Sequence, residues 1–153
     1  MALDNCIIKK CEESWDEEFL AGIKNKNNCS GFVKSVAKKL DVQLPLVQAD
    51  GIVDTIEKFW TKVNSGAEAA SKATAGFFVL AGLKSSDHAK KANQGHIVIV
   101  TSGSLYRAKY PLCWGGSTGT AQSKGNKSVG EVWNTTDRDN VAYYVYKNQV
   151  CTA

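Results

Sequence analysis

The period of the hydrophobic pattern changes once along this chain, just after Ala75, and that change restricts the fold more than any other feature. Before it, apolar side chains recur at helical spacing. Ile7, Ile8, Cys11, Trp15 and Phe19 form a stripe running from Asp4, the N-cap, to about Phe19. Phe32, Val33, Val36, Ala37 and Leu40 form a second stripe that begins at or beside Cys29, and Ile52, Val53, Ile56, Phe59, Trp60 and Val63 a third that begins after Asp50. Gly22 with "KNKNN" separates the first pair, and Pro45 in "QLPLVQAD" the second. Ser65 and Glu68 fit a capping box opening a fourth, alanine-rich helix. Beyond the switch, "GFFVLAGL", "GHIVIVTSG", "YPLCWGG" and "NVAYYVYK" are short β-branched and aromatic runs between Gly, Ser, Lys and Asn clusters, the pattern of strands. Helices followed by strands, with no alternation between them, predict an α+β fold with an antiparallel sheet. Ser117 to Gly130 is the longest polar stretch and reads as a surface loop, a flap over a cleft.

At 153 residues the chain fits one domain, residues 1–153, with a substantial core. Its 43% hydrophobic content and evenly scattered 22% charge exclude a disordered tail. No apolar run approaches the roughly eighteen residues of a membrane span, and "MALDNCIIKKCEESWDEEF" lacks the basic, apolar and small-residue regions of a secretory signal. A net charge of +4 on dispersed lysines argues against nucleic acid as a partner and favours an anionic substrate or polymer. Five cysteines leave at least one thiol unpaired in a monomer, which is the expected state. Cys6 and Cys151 lie near opposite ends, and the ends of compact domains often meet, so a terminal disulfide is open to them in an oxidising compartment.

Where a helix starts, unpaired N–H groups and the macrodipole favour an anion, so Cys29 stands where a thiolate is stabilised. Such placement beside a histidine can bring a thiol pKa from about 8.5 down to roughly 3.5–7.5. The ordinary alternative is a free cysteine that only packs. Of the two histidines, His88 sits in the charged "KSSDHAKKANQ" and reads as solvated, whereas His96 opens a strand directly after Gly95, where its ring can project from a sheet edge. A strand-borne imidazole facing a helix-borne thiol is a cysteine hydrolase arrangement, with the imidazole ionising the thiol and then protonating the leaving amine. The ordinary alternative for His96 is a hydrogen-bonded structural histidine. "GGSTG" matches a serine nucleophile elbow, but no helix pattern follows it and no histidine follows residue 96. Neither a C-x-x-C pair nor an H-E-x-x-H turn is present, so no metal or cofactor is expected. Asp137 and Asp139 in "TTDRDN" lack the other oxygen ligands of a calcium loop and read as turn and salt-bridge residues.

"NCSGFVKSVA" followed much later by "GHIVIV" resembles the papain-like, NlpC-type cell-wall peptidases, whose motifs read roughly D-C-S-G-F and G-H-V. Through "KNNCSGFVKSVA", "VDTIEKFWTKVNSGAEAA", "YRAKYPLCWGGS", "VGEVWNTTDRD" and "YYVY" the chain resembles, nearly end to end, the first family of type VI secretion amidase effectors. The resemblance implies a cleft between N-terminal helices and an antiparallel sheet, with Cys29 as nucleophile and His96 as general base and acid. It implies cofactor-free, bacteriolytic hydrolysis of the D-glutamate to meso-diaminopimelate bond of peptidoglycan stem peptides. Delivery by the type VI apparatus into a target cell's periplasm without a signal peptide, a cognate immunity protein plugging the cleft, and a Cys6–Cys151 disulfide are implied as well. Asn28 replaces the aspartate usual in the broader family, and Gly115 stands near the place of a polar residue that orients the histidine. Cys113, on the same strand face as Gly115, or a backbone carbonyl is left for that role. The rival from another class is a non-catalytic module of the same fold that holds glycan or protein through Trp114 or Trp133.

Overall fold

A computed structural model describes residues 2–90, 92 and 94–152. Helices α1 (Asn5–Ser14), α2 (Cys29–Lys39) and α3 (Ala49–Phe59) come first, then strand β1 (Thr61–Val63) and helix α4 (Gly66–Thr74). Strands β2 (Phe77–Leu83), β3 (His96–Val100), β4 (Leu112–Gly115) and β5 (Ser123–Ser128), the short α5 (Val129–Val132) and strand β6 (Ala142–Gln149) complete the order. The strands form one six-stranded sheet, β1-β6-β2-β3-β4-β5, antiparallel throughout. This is the α+β architecture that the change of period implies.

Because successive strand residues face opposite ways, the sheet builds a core on each side. Phe78, Leu80, Ile97, Ile99 and Trp114 pack under the stripes of α1, α2 and α3, including Ile7, Phe32, Val36, Ile52 and Ile56. Val79, Ala81, Val98, Val100, Cys113 and Val145 face Ala69 and Ala73 of α4 and Val129 of α5. Covered on both faces, β2 and β3 read as unbroken apolar runs.

The structure departs from the pattern at several places. The first helix ends at Ser14, short of Phe19, because the Asn25 amide takes the Ser14 carbonyl (2.9 Å) and accepts from Phe19 N (3.1 Å), turning the chain. Asp4 makes no side-chain cap; its buried carboxylate accepts from Ser102 N (2.7 Å) and Ser102 Oγ (2.8 Å) instead. Half of the box at α4 forms: Ser65 Oγ accepts from Glu68 N (3.1 Å), while Glu68 Oε1 accepts from Asn64 N (3.3 Å) and not from Ser65. The third stripe leaves the helix at Trp60, and Val63 is buried from the edge strand β1 paired with β6.

The largest correction lies in 117–130, where the expected loop holds β5 and the first residues of α5. Leu112 pairs with Ser128 and Gly115 with Ser123. An edge strand tolerates polar residues, and only Ser123 and Ser128 at its ends are buried, so no apolar alternation marks it. Gly125 adopts φ +77°, and a Cβ there would stand 2.5 Å from Trp114 Nε1, which requires glycine where the strand crosses the indole. At the ends of the chain, Cys6 and Cys151 are joined in a disulfide with Cα atoms 5.8 Å apart.

Candidate active site

The site is assembled around the Asn25–Asn28 turn that delivers the chain into α2. Asn25 is fully buried, and its Nδ2 donates to Ser35 Oγ (2.9 Å) as well as to Ser14, so one amide ties the end of α1 to the body of α2. Asn28 is the N-cap: its Oδ1 accepts from Gly31 N (3.1 Å) and from Ser30 Oγ (3.3 Å). A neutral amide thus caps the helix at the position where the broader family usually carries aspartate. A Cβ on Gly31 would lie 2.5 Å from Asn28 Nδ2, so glycine lets the cap close. Cys29 follows as the first residue of α2.

The sulfur of Cys29 is drawn in two directions. Burial pushes the thiol above its ordinary pKa, while the N–H groups of Ile97, Ser30 and Cys29 itself and the charge of Lys34 pull it down without reversing the outcome. The expectation of an acidified thiol is therefore corrected. Burial outweighs the helix-start amides, and the thiol's pKa lies above its ordinary value.

His96 is the first residue of β3, on the face of Val98 and Val100, and is half-buried in the wall of the cleft that Cys29 also lines. The N–H of its neighbour Ile97 lies near enough to the Cys29 sulfur to pull the thiol's pKa down, against the larger effect of burial. Burial lowers the His96 pKa from its ordinary 6.5 to about 4, with a smaller push from the charge of His88. Its Nε2 is buried and has no hydrogen-bond partner among the described residues. The ring meets Trp133 edge to face, centroids 5.0 Å apart and planes at 60°.

Cys113 is not brought to His96. It pairs with Val100 at the far end of β3, about 13 Å along a strand that rises about 3.3 Å per residue. Its Sγ donates to Lys127 O (3.6 Å), and burial raises its pKa to about 12. At Gly115 a Cβ would stand 2.5 Å from Val98 Cγ1, so that position faces Val98. Neither a side chain nor a backbone carbonyl bonds the imidazole at Nε2 among the described residues.

The cleft has a volume of about 1020 Å³. Phe19, Leu20 and Ile23 form one wall and Leu46 and Val47 another, with Leu20 54% and Leu46 83% exposed. Ser117, Thr118 and Ala121 form a third wall, a strap fastened to the Cys29 turn. Ser117 N donates to Lys26 O (2.9 Å), and Gln122 Nε2 donates to Lys26 O (2.8 Å), Asn27 Oδ1 (2.9 Å) and Ser117 O (2.8 Å). A Cβ on Gly116 would meet Asn25 O at 2.0 Å, so the strap lies against that turn.

His88 lines the cleft rather than open solvent, its Nδ1 2.9 Å from Lys84 O; its charged sequence surroundings hid this. Asp137 also lines the cleft, and its Oδ1 accepts from Ala89 N (2.7 Å), tying down the His88 loop. Asp139 pairs with Lys109 at 2.7 Å and accepts from Tyr110 OH. Trp114 packs against Trp15 and Phe32 in the core, leaving Trp133 as the cleft tryptophan of the two candidates. "GGSTG" leads into β5, not a helix. Among the described residues no group of three His, Cys, Asp or Glu side chains could hold a metal ion, and no helix is long and apolar enough to cross a membrane.

No family model matches the sequence. Over 153 residues, 99% of this chain and 96% of the relative, it is 54% identical to Peptidoglycan amidase Tse1 of Pseudomonas aeruginosa.

Proposed function

The chain belongs to the family of type VI amidase effectors that includes that peptidoglycan amidase, and from this premise we propose that it hydrolyses peptidoglycan stem peptides between D-glutamate and meso-diaminopimelate, with Cys29 as nucleophile and His96 as general base and acid. The observation that supports the assignment is that Cys29, at the start of α2, and His96, at the start of β3, line the same cleft.

Burial disfavours both the thiolate and the imidazolium. His96 takes the thiol proton as the sulfur attacks the amide carbonyl, forming the C–S bond and an oxyanion. Backbone N–H groups at the start of α2 stabilise that oxyanion, the stage at which such donors contribute most. The imidazolium passes its proton to the diaminopimelate nitrogen, the C–N bond breaks, and the amine leaves a glutamyl thioester. His96 then deprotonates water, which attacks the thioester; the C–S bond breaks and the sulfur recovers its proton.

Delivery by a type VI apparatus and action in a target cell's periplasm belong to the same reading, as does a cognate immunity protein that occupies the cleft. A disulfide joining the ends suits that oxidising compartment. The test is digestion of purified muropeptides, with mass spectrometry identifying the bond cut. The expected products are a muramyl L-alanyl-D-glutamate and a diaminopimelate-led peptide. Cys29→Ala and His96→Ala are each expected to lose on the order of 1000-fold or more in turnover. Either variant within a few fold of the parent, or cleavage of another bond, rejects the assignment.

A further inference from the structure

Three observations bear on what surrounds the His96 imidazole. The Nε2 atom is buried without a partner among the described residues, although imidazoles in such pairs are ordinarily oriented by a hydrogen bond at the far nitrogen. The places from which a polar group was expected hold Gly115, facing Val98, and Cys113, bonded to Lys127 O. The group that does touch the imidazole is the Trp133 indole, edge to face at 5.0 Å.

Trp133 is built to stay where it is. It is 5% exposed, its backbone N–H donates to Val129 O (3.1 Å), and α5 is tightened by Glu131 Oε1 accepting from Ser128 N (2.9 Å). Directly after it, Asn134 Oδ1 accepts from Thr136 N (3.0 Å) and Asp137 N (2.8 Å), fixing the turn. Its own Nε1 is buried and unpartnered among the described residues, so packing alone holds the indole.

We propose that Trp133 is a positioning residue for the reaction: its indole sets the plane of the His96 imidazole by edge-to-face packing and keeps water from Nε2, in the role a hydrogen-bonding side chain fills elsewhere. Aromatic pairs at this spacing prefer tilted geometry, which fixes a ring's plane as well as its position. The inference rests on the proposed role of His96.

The experiment compares Trp133→Leu with Trp133→Phe. Misplacing a reacting group by about 1 Å can cost about 100-fold, so Trp133→Leu should lower kcat by roughly 10- to 100-fold with KM within about twofold. Trp133→Phe, which keeps a ring, should restore kcat to within about threefold. NMR of His96 is read in a Cys29→Ala background, where no turnover is needed. There Trp133→Leu should move the ring protons off their indole-shifted positions and raise the titration midpoint. The other titratable groups lining the cleft, Cys29, Lys34, Asp50, His88 and Asp137, are unchanged in the kinetic comparison, and only the Cys29 thiol is removed in the NMR background.

Parental kcat and an unmoved His96 signal in Trp133→Leu overturn the proposal; so does a rise in KM alone, which makes Trp133 only a substrate wall. Should Trp133→Leu melt below the assay temperature, Trp133→Phe decides: a large loss of kcat with an undisturbed His96 signal overturns the proposal, and retained kcat with a retained aromatic shift supports it. An active His96→Ala variant rejects the catalytic reading instead, while the NMR signal still reports the contact.

Discussion

Asn28 shows how a single cap can carry both structure and reactivity. Its Oδ1 holds Gly31 N and the Ser30 hydroxyl, and the next residue carries the sulfur. Removing the cap in Asn28→Ala should cost about 1 kcal/mol in urea unfolding. Asn28→Asp keeps the acceptor and suits the helix dipole, so stability should stay within about 0.5 kcal/mol of the parent. Its new charge beside the sulfur should disfavour the thiolate and slow iodoacetamide alkylation of Cys29 at neutral pH several-fold. Unchanged alkylation would show that the aspartate is screened from the sulfur. His96 provides the other prediction at this scale. A folded pKa of about 4 against an ordinary 6.5 means that the unfolded chain binds the proton more readily. This contribution to stability is complete above pH 6.5 and is lost as the pH falls toward 4, by on the order of 3 kcal/mol. Urea midpoints across that window should fall steeply for the parent and more gently for His96→Gln.

Among the elements, α2 is legible because its N-cap, glycine and apolar stripe are all local, and β2 and β3 because burial on both faces leaves unbroken apolar runs. The strap and β5 are not, because what holds them is non-local. Gln122 is an unremarkable amide until the fold sets Lys26 O, Asn27 Oδ1 and Ser117 O around it, and β5 is a strand only because β4 presents a partner. Cys29 and His96 can each be picked out by position, whereas the imidazole's partner cannot: Cys113 is one candidate beside a backbone carbonyl, and it lies away from the ring. Sharing a strand face with Gly115 says nothing of register, and register puts Cys113 opposite Val100. Trp133 can be named as a cleft tryptophan but not as a neighbour of His96, since that contact is made only when the fold brings the residue after α5 to the start of β3. The strap can be probed separately from the core: Gln122→Ala should cost about 1 kcal/mol and speed amide hydrogen exchange over residues 25–28. Because that turn carries Cys29, kcat should fall more than KM rises. Slow exchange at 25–28 in this variant would mean that Asn25 alone secures the turn.

At the scale of the whole molecule, the change of period separates the helices from most of the sheet, and the disulfide closes the chain across 145 residues. Cys6 lies in α1 and Cys151 just beyond β6, where Val150 N and Cys151 N both donate to Gly76 O at 3.0 Å. The bond therefore clamps α1 to the far end of the sheet, and α1 reaches the site through Ser14, whose carbonyl receives the Asn25 amide. A crosslink closing so long a loop removes on the order of 4 to 5 kcal/mol of unfolded-chain entropy in the loop model. For a chain of this size each kcal/mol moves Tm by about 2–4 °C, so dithiothreitol should lower Tm by roughly 10–20 °C. The paired Cys6→Ser and Cys151→Ser variant should melt at the reduced protein's temperature and ignore dithiothreitol. Muropeptide turnover at 25 °C should fall less than stability does, because Asn25 and the Asn28 cap still order the turn when α1 is freed from the crosslink. If reduction left Tm unchanged, the Gly76 hydrogen bonds and the packing of α1 would suffice to hold the ends; if it abolished turnover in protein that remains folded, α1 would be controlling Cys29 directly.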